Sequence, residues 1–461
     1  MTGTVDVDVL VAGSGAAGLA AALAAAGRGL TVLLVEARPA FRQECNTAMS
    51  TAMIPAGGSR WQREQGVPDS PEVFLADVMR KTHGGADPVV ARALTRLAPD
   101  LVAWLADDCG VELALVTDFN YPGHSHPRCH TVSDRSGRTL HAQLLRAAAE
   151  RGVDLLVPAR LRAVTPVRPD EPAGGLRATL TRPAGEETVT ARAVVLAGNG
   201  FGANPELVRR YLPEIADGLY HGGAGSTGDA LRIGVDLGAD TACLDAYQGH
   251  GSVAVGHGTL MTWAGVMHGG ILVNTAGERF GDESAGYSEF ARLVLAQPGG
   301  VAWMVFDQRV DLACRAFADY QHCRQAGAVV WAADAGELAD RIGAPVETLT
   351  HTLTEVGELA AVDPADPATD RYGRTHWPAP LHPPYAAVRV TGALFHTQGG
   401  LRVDEHARVL RTGVPLPGLY AAGGAAVGMS GHGPAGYLAG NGLLAALGLG
   451  YLAGRHVGSA A

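Results

Sequence analysis

The stretch VDVDVLVAGSGAAGLAAALAAAGRGLTVLLVE, residues 5–36, reads as a strand, a glycine turn, a small-residue helix and a second strand ending in an acid. Gly13 lets the chain turn sharply out of Val7 to Ala12, Gly15 lets backbone N–H groups approach a pyrophosphate, and Gly18 lets the helix lie close on the sheet. The helix start, carrying Ser14, Ala16 and Ala17, turns its partial positive charge toward the phosphates. Glu36, followed by Ala37, stands at the distance expected of a carboxylate that holds a ribose hydroxyl pair. A glycine turn alone also serves plain packing. Strand, helix and acid together point to a nucleotide-binding βαβ unit, without saying which dinucleotide it takes.

At 461 residues the chain is too long for one compact core, so two domains or one domain with a large insertion are expected. A composition 47% hydrophobic and 18% charged is that of a soluble α/β enzyme, and a net charge of −10 argues against a nucleic-acid surface. The six cysteines form no C-x-x-C pair, which fits reduced thiols. The N-terminus runs directly into a strand, so no secretory signal is expected. The apolar run Leu438–Val457 contains five glycines and an arginine and reads as a buried helix rather than a membrane span. A cytoplasmic protein is the resulting expectation.

Helical spacing predicts helices over Pro71–Arg80, Pro88–Leu105 and Thr139–Arg151. The loop YPGHSHPRCH, Tyr121–His130, holds three histidines, but Pro122, Gly123 and Pro127 break any regular ligand spacing. A loop lining a pocket is expected there and no metal site, with a solvated loop as the alternative. Strands follow at VDLLV, RATLTR and ETVTARA, then at AVVLAGNGFG, which lacks a following helix and acid. GSTGD opens a helix near Asp229. Beyond Tyr247 come glycine-rich strands, a strand Val301–Asp307, a helix Pro345–Leu359 with proline at its first position, and a proline-rich loop Asp363–Pro384. LPGLYAAGGAAVG then gives a buried strand running into glycines, before the terminal helix.

AVVLAGNGFG, GSTGDALRIGVDLGA, GGILVNTAGERFGDES, PPYAAVRVTG, HTQGGLRVD and PGLYAAGGAA, taken with the opening unit, carry a resemblance that runs in order from end to end. The chain resembles the flavoprotein family of fumarate reductase, succinate dehydrogenase and 3-ketosteroid dehydrogenase. The resemblance implies an α/β fold: a bipartite, Rossmann-like FAD-binding domain of the two-dinucleotide-binding-domain kind, with an inserted α+β capping domain. The expected division is 1–245 and 396–461 for the FAD domain and 246–395 for the cap. FAD contacts are implied at Asn46, Thr47 and Ser50, at Ala197, Gly198, Asn199 and Gly200, at Asp229 and His396, and at Gly423, Gly424, Gly440, Asn441 and Leu443. Covalent flavin in the family hangs on a histidine after the ribose acid. Asn46–Ala56 contains none, so non-covalent FAD is expected.

Within that family the dicarboxylate enzymes grip two carboxylates with arginines and histidines. Here Tyr287 falls where their catalytic arginine stands and Tyr437 where the second clamping arginine stands. Thr262 is kept, Trp263 and Val266 replace the relay glutamate and arginine, and Phe395 replaces a substrate histidine. Only His250, in YQGHGS, matches. A buried charge-assisted partner lost costs about 2–5 kcal/mol, so dicarboxylates become poor substrates. Similarity to the ketosteroid branch implies Tyr287 as the base that takes an α-proton, Tyr437 and His250 steadying the enolate, and Tyr121 assisting. Thr262, Trp263, Phe395 and Arg128, the last as an anchor at the pocket mouth, are expected to touch substrate. The resulting expectation is dehydrogenation of a C–C bond beside a carbonyl on a bulky, mostly uncharged small molecule. The electron acceptor is left open. Reduction of an activated alkene and an electron-transfer flavoprotein without a small substrate are the alternatives.

Overall fold

The computed structural model describes residues 6–118, 120–168, 174–362 and 368–458. The opening unit forms β1 (Val7–Ala12), α1 (Ala16–Ala26) and β2 (Val32–Val35). β1 pairs in parallel with β2, Val9 facing Val32, and on its other side with the end of β3 (Gly185–Leu196). Asp154–Leu156 adds beyond β2 and Val414–Ala421 beyond β3, again in parallel. β3 is a single strand of 12 residues, where the sequence reads as two. Its first half pairs antiparallel with Leu176–Arg182 and is largely exposed, whereas Val194–Leu196 is buried on both faces. The pattern switches from alternating to continuous, but nothing breaks the backbone between.

Two close approaches set this layer. Gly13 has φ +112°, and a Cβ there would lie 2.4 Å from the Ala197 carbonyl oxygen. A Cβ at Gly18 would lie 1.7 Å from the Gly13 oxygen, so this glycine serves helix packing, as its position predicts. On its outer side α1, mostly alanine, is covered by the terminal helix Asn441–His456, whose Gly450 and Gly454 sit against the Ala17 and Ala21 carbonyls.

A second sheet lies around the 13-residue strand Tyr385–Thr397, paired antiparallel with Val301–Asp307, Tyr247–Ala254 and Val329–Ala332. Apart from the two-residue strand Leu219–Tyr220, its members all fall between 247 and 397. It has its own apolar core, including Trp263, Phe290 and Phe306. Helix α2 (Pro71–Lys81) packs into the first core through Phe74 and Val78, and helix α3 (Tyr287–Leu295) into the second through Phe290 and Val294.

Several elements differ from expectation. A seven-residue helix, Pro205–Tyr211, capped by the Asn204 side chain, follows the second glycine turn, where none was expected. The helix expected from Pro345 starts at Val346 with Pro345 as its cap. Among the described residues, five helices in the second half lacked a sequence reading: Ala264–Met267, α3, Gln308–Cys314, Ala318–Gln325 and Ala335–Ile342. The first part of the expected loop Asp363–Pro384 lies outside the described residues. All six cysteines are free thiols, and among the described residues no helix is long and apolar enough to cross a membrane.

Gly450→Val tests the helix contact: its Cβ would fall 2.2 Å from the Ala17 oxygen. Overpacking of this kind costs about 1–3 kcal/mol, so the thermal unfolding midpoint should drop by several degrees; an unchanged midpoint would refute the close packing.

Candidate active site

A single long cavity runs along the carboxyl ends of β1, β2 and β3 to the edge of the second sheet. At one end the turn 13–17 lines it, and Glu36 closes it. The Glu36 carboxylate accepts from the Ser14 N–H (3.0 Å) and hydroxyl (2.7 Å) and from the Arg38 N–H (2.8 Å). A carboxylate has about four acceptor positions, so one remains for a ribose hydroxyl. The buried His141, on the helix Gly137–Glu150, contacts the Ser14 carbonyl at 2.8 Å and holds the turn from behind. The Ala16 N–H donates to Thr47 at 2.9 Å, and the Asn199 amide, at φ +64°, donates to Ser226 at 2.8 Å.

Three helix starts face the cavity, with Gly15, Gly228 and Gly440 at their cap positions. Their cap glycines supply no side-chain cap; the Ala16 N–H donates to Thr47, the Asn441 N–H to the Leu438 carbonyl, and the Gly440 and Gly442 N–H groups face Tyr437, which leaves the other first-turn N–H groups for an anionic ligand. The charged lining clusters at the Glu36 end. Arg38 pairs with Glu44 at 2.5 Å, and Arg160 with Asp229 at 2.6 Å. Arg160 follows Ala159, whose N–H donates to the Glu36 carbonyl. Glycine cradle, acid and uncapped helix starts together fit a dinucleotide.

The other end is aromatic. His250 stacks on Tyr287 (centroids 4.7 Å) and on Phe395 (5.1 Å), with Trp263 edge-on at 5.7 Å. Tyr287 meets Tyr437 edge to face at 5.8 Å, and Tyr121 and Thr262 complete the wall. The Trp263 N–H donates to the Glu283 carbonyl at 3.2 Å, which fixes the indole. Among the described residues no lysine or arginine lines this end.

Burial sets the protonation states. It pushes Tyr437 up to about 12, opposed by the Tyr287 hydroxyl and the N–H groups of Gly442 and Gly440; Tyr287 is pushed well above the usual phenol value, first by burial and then by Tyr437 and Tyr121. Burial drives His250 down to about 3 and His396 to about 4, so both are neutral. Ser252 donates its hydroxyl to the Met261 carbonyl at 2.5 Å, so the Ser252 oxygen accepts from His250 Nδ1–H at 3.0 Å. His250 Nε2 is then an acceptor. His250, expected to steady the enolate, thus directs its one proton to Ser252 in this arrangement and meets the cavity through its ring and Nε2.

Tyr121, His250, Tyr287, Tyr437, Thr262, Trp263 and Phe395 all line the cavity, as do His396, Gly423, Gly424, Gly440 and Leu443. Four expected residues do not. Gly18 is a packing glycine. Gly200 closes on Thr397, whose hydroxyl would lie 1.8 Å from a Cβ there, and Asn441, the first residue of its helix, is fully buried. Arg128 is 1% exposed and bonded to Asp69 (2.9 Å) and Asp77 (2.7 Å), over the Phe74 ring. It is an internal ion pair and no substrate anchor. Of the loop histidines, His124 contacts the Ala439 carbonyl and His130 contacts Ser59; among the described residues no group of His, Cys, Asp or Glu could hold a metal. Unforeseen lining residues include Gln248, Gln398 and Asp319. The glutamines lay inside quoted segments. Asp319, its carboxyl pushed up to about 6 by burial, sits on a helix with no sequence signal.

The model of the FAD binding domain matches residues 8–443. The chain belongs to the FAD binding domain family. It is 31% identical over 421 residues to the NADH:fumarate oxidoreductase of Klebsiella pneumoniae (strain 342), a match covering 90% of this chain and 44% of that one, so it spans less than half of that relative. It is 27% identical over 560 residues to the 3-oxosteroid 1-dehydrogenase of Mycobacterium tuberculosis (strain ATCC 25618 / H37Rv), covering 98% of each. Among solved structures, the open conformation of a flavocytochrome c3 fumarate reductase superposes with a TM-score of 0.78 at 27% identity, over 98% of this chain and 78% of that one. The 3-ketosteroid-delta4-(5alpha)-dehydrogenase from Rhodococcus jostii RHA1, in complex with 4-androstene-3,17-dione, gives 0.76 at 25%, over 99% and 97%. FAD is thus the cofactor for which the cradle is built.

The buried histidines predict a pH response. His250 (about 3) and His124, His130 and His396 (each about 4) have folded values below the 6.5 of an exposed imidazole. The unfolded chain therefore binds more protons in this window, and stability is lost as pH falls from about 6.5 toward 4. Asp319 and Glu289, both raised, oppose the trend but are outnumbered. Thermal midpoints should fall across that range; a midpoint rising on acidification would contradict the neutral histidines.

Proposed function

We propose that the chain is an FAD-dependent dehydrogenase that introduces a double bond beside a carbonyl on an uncharged, bulky substrate. The observation that carries the reading is the aromatic end itself: two facing phenols, neutral histidines and, among the described residues, no cation in the wall. A dicarboxylate buried there would lack charge-assisted donors.

The carbonyl oxygen is held by the Tyr437 hydroxyl and the Gly442 N–H, where enolate charge grows. In the free pair the Tyr287 hydroxyl and the Gly440 and Gly442 N–H groups favour negative charge on Tyr437. A bound carbonyl takes over one N–H and draws the Tyr437 proton into its own hydrogen bond. Burial keeps both phenols protonated at rest, so the pair must first release one proton to solvent; the charge left behind then resides on Tyr287, which takes the α-proton. The two phenols titrate as one unit, so the base is the pair with its charge placed by substrate. Bound along the cradle, FAD supplies the acceptor for the β-hydride. Trp263, Phe395 and the His250 ring act as plates that fix the carbon skeleton and exclude water. Asn46–Ala56 carries no histidine, which supports FAD held without a covalent bond. The fumarate-reducing relatives favour a second reading, the same chemistry reversed, with Tyr287 delivering the proton to an activated alkene.

Anaerobic enzyme titrated with cyclohexanone, 2-cyclohexen-1-one and 4-androstene-3,17-dione, with succinate and fumarate alongside, separates the readings. The ketones should bleach the oxidised flavin, the enones reoxidise the photoreduced flavin, and the dicarboxylates do neither. Flavin responding only to dicarboxylates would end the proposal. Tyr287→Phe should lower turnover by about 10²–10⁴-fold while FAD stays bound. Acid precipitation should leave colourless protein and free FAD in solution; colour in the pellet would show a covalent bond.

A further inference from the structure

Lys81 is the only lysine of the chain, in which every other cation of its class is an arginine. It ends α2, on the side of the first core, and its side chain is 14% exposed. Its ammonium bonds Glu289 at 2.5 Å and the Ala285 carbonyl at 2.9 Å, and these two residues bracket Tyr287 at the start of α3. Its stem closes on Gly123, two residues beyond Tyr121; a Cβ at Gly123 would lie 3.4 Å from Lys81 Cδ and 2.5 Å from Leu438 Cδ2, the neighbour of Tyr437. One side chain thus touches or abuts the three segments that carry the three phenols.

The fit is specific to a compact ammonium. Gly286, at φ +143°, has no room for a side chain: a Cβ there would meet Glu289 Oε2 at 2.4 Å and come within 3.7 Å of Lys81 Nζ. A planar guanidinium presents more atoms in a rigid fork and does not fill such a point contact. Glu289 is buried enough that its carboxyl is raised even with Lys81 beside it, so loss of the ammonium leaves a poorly compensated acid two residues from Tyr287.

We propose that Lys81 is a positioning residue of the reaction: it fastens the Tyr287 end of α3 to α2 and thereby sets the distance between the Tyr287 and Tyr437 hydroxyls. The inference rests on the reading that these phenols act on substrate. Lys81→Met, Lys81→Arg, Glu289→Gln and the double variant Lys81→Met/Glu289→Gln test it, with Tyr287→Phe as the control on that reading. Turnover is followed with whichever ketone of the series above bleaches the flavin fastest, and backbone hydrogen exchange is followed over residues 283–290. Lys81→Met should lower kcat at least tenfold, change KM less than threefold, keep FAD content, and speed exchange over 283–290. Lys81→Arg should not restore kcat. Glu289→Gln, which keeps size and shape, should show the same split even if Lys81→Met folds poorly. The double variant should be no slower than Lys81→Met. Wild-type kcat and exchange in Lys81→Met or Glu289→Gln, or additive losses in the double variant, would overturn the proposal. Full turnover in Tyr287→Phe would instead refute the reading of the phenols, while the exchange result would still report on the latch.

Discussion

Backbone lying directly on backbone is the constraint from which the rest follows. Gly18 over the Gly13 oxygen fixes α1 on the sheet, and Gly450 and Gly454 over the Ala17 and Ala21 oxygens fix the terminal helix on α1. That helix carries the effect to the other end of the cavity. Its far half is keyed to the nucleotide turn, and its first turn presents the Gly440 and Gly442 N–H groups to Tyr437. Phosphate cradle and phenol pair are therefore held by one rigid stack of small residues, and neither can shift alone.

Electrostatics divides the same cavity in two. Near Glu36 the charges are many and paired; at the aromatic end the lining groups are phenols, amides and neutral imidazoles. Arginines do exist close by. Arg279 and Arg374 are buried, but Arg279 bonds Glu283 and Asp370, and Arg374 bonds Glu283, behind the Trp263 wall. Their charge is neutralised where it stands. A segment resembling a dicarboxylate enzyme's thus keeps arginine in its sequence while offering no guanidinium to the ligand.

What was legible in the sequence is what depends on neighbours along the chain. The glycine turn, Glu36, the strand ending at Gly198 and the start of the terminal helix all follow from backbone geometry over a few residues. What depends on partners far apart was not. Arg128 reads as a free cation on a loop until Asp69 and Asp77 are seen around it. His250 reads as a donor until Ser252 and Met261 settle its tautomer. Gly200 and Asn441 stand next to true lining residues, but Gly200 closes on Thr397 and Asn441 is fully buried. Tyr287 and Tyr437 were found because a substitution inside a recognisable segment marks a position, whereas Asp319 lies on a helix that no such segment reaches.

The burial that makes both phenols reluctant to ionise also shapes what they can do. A single negative charge in this pocket costs much the same on a phenol oxygen as on an enolate oxygen, because both sit in the same dry surroundings. Proton transfer between them moves one charge a short distance and creates none, so the barrier is not raised by burial of charge during the step. The N–H groups of Gly440 and Gly442 stay fixed through that shift and can serve either oxygen. A cation in the wall would break this balance by holding the charge at one place. On the proposed reading, the absence of lysine and arginine from the aromatic lining among the described residues is thus a condition of that chemistry, in the same way that their presence would be the condition for gripping a dicarboxylate.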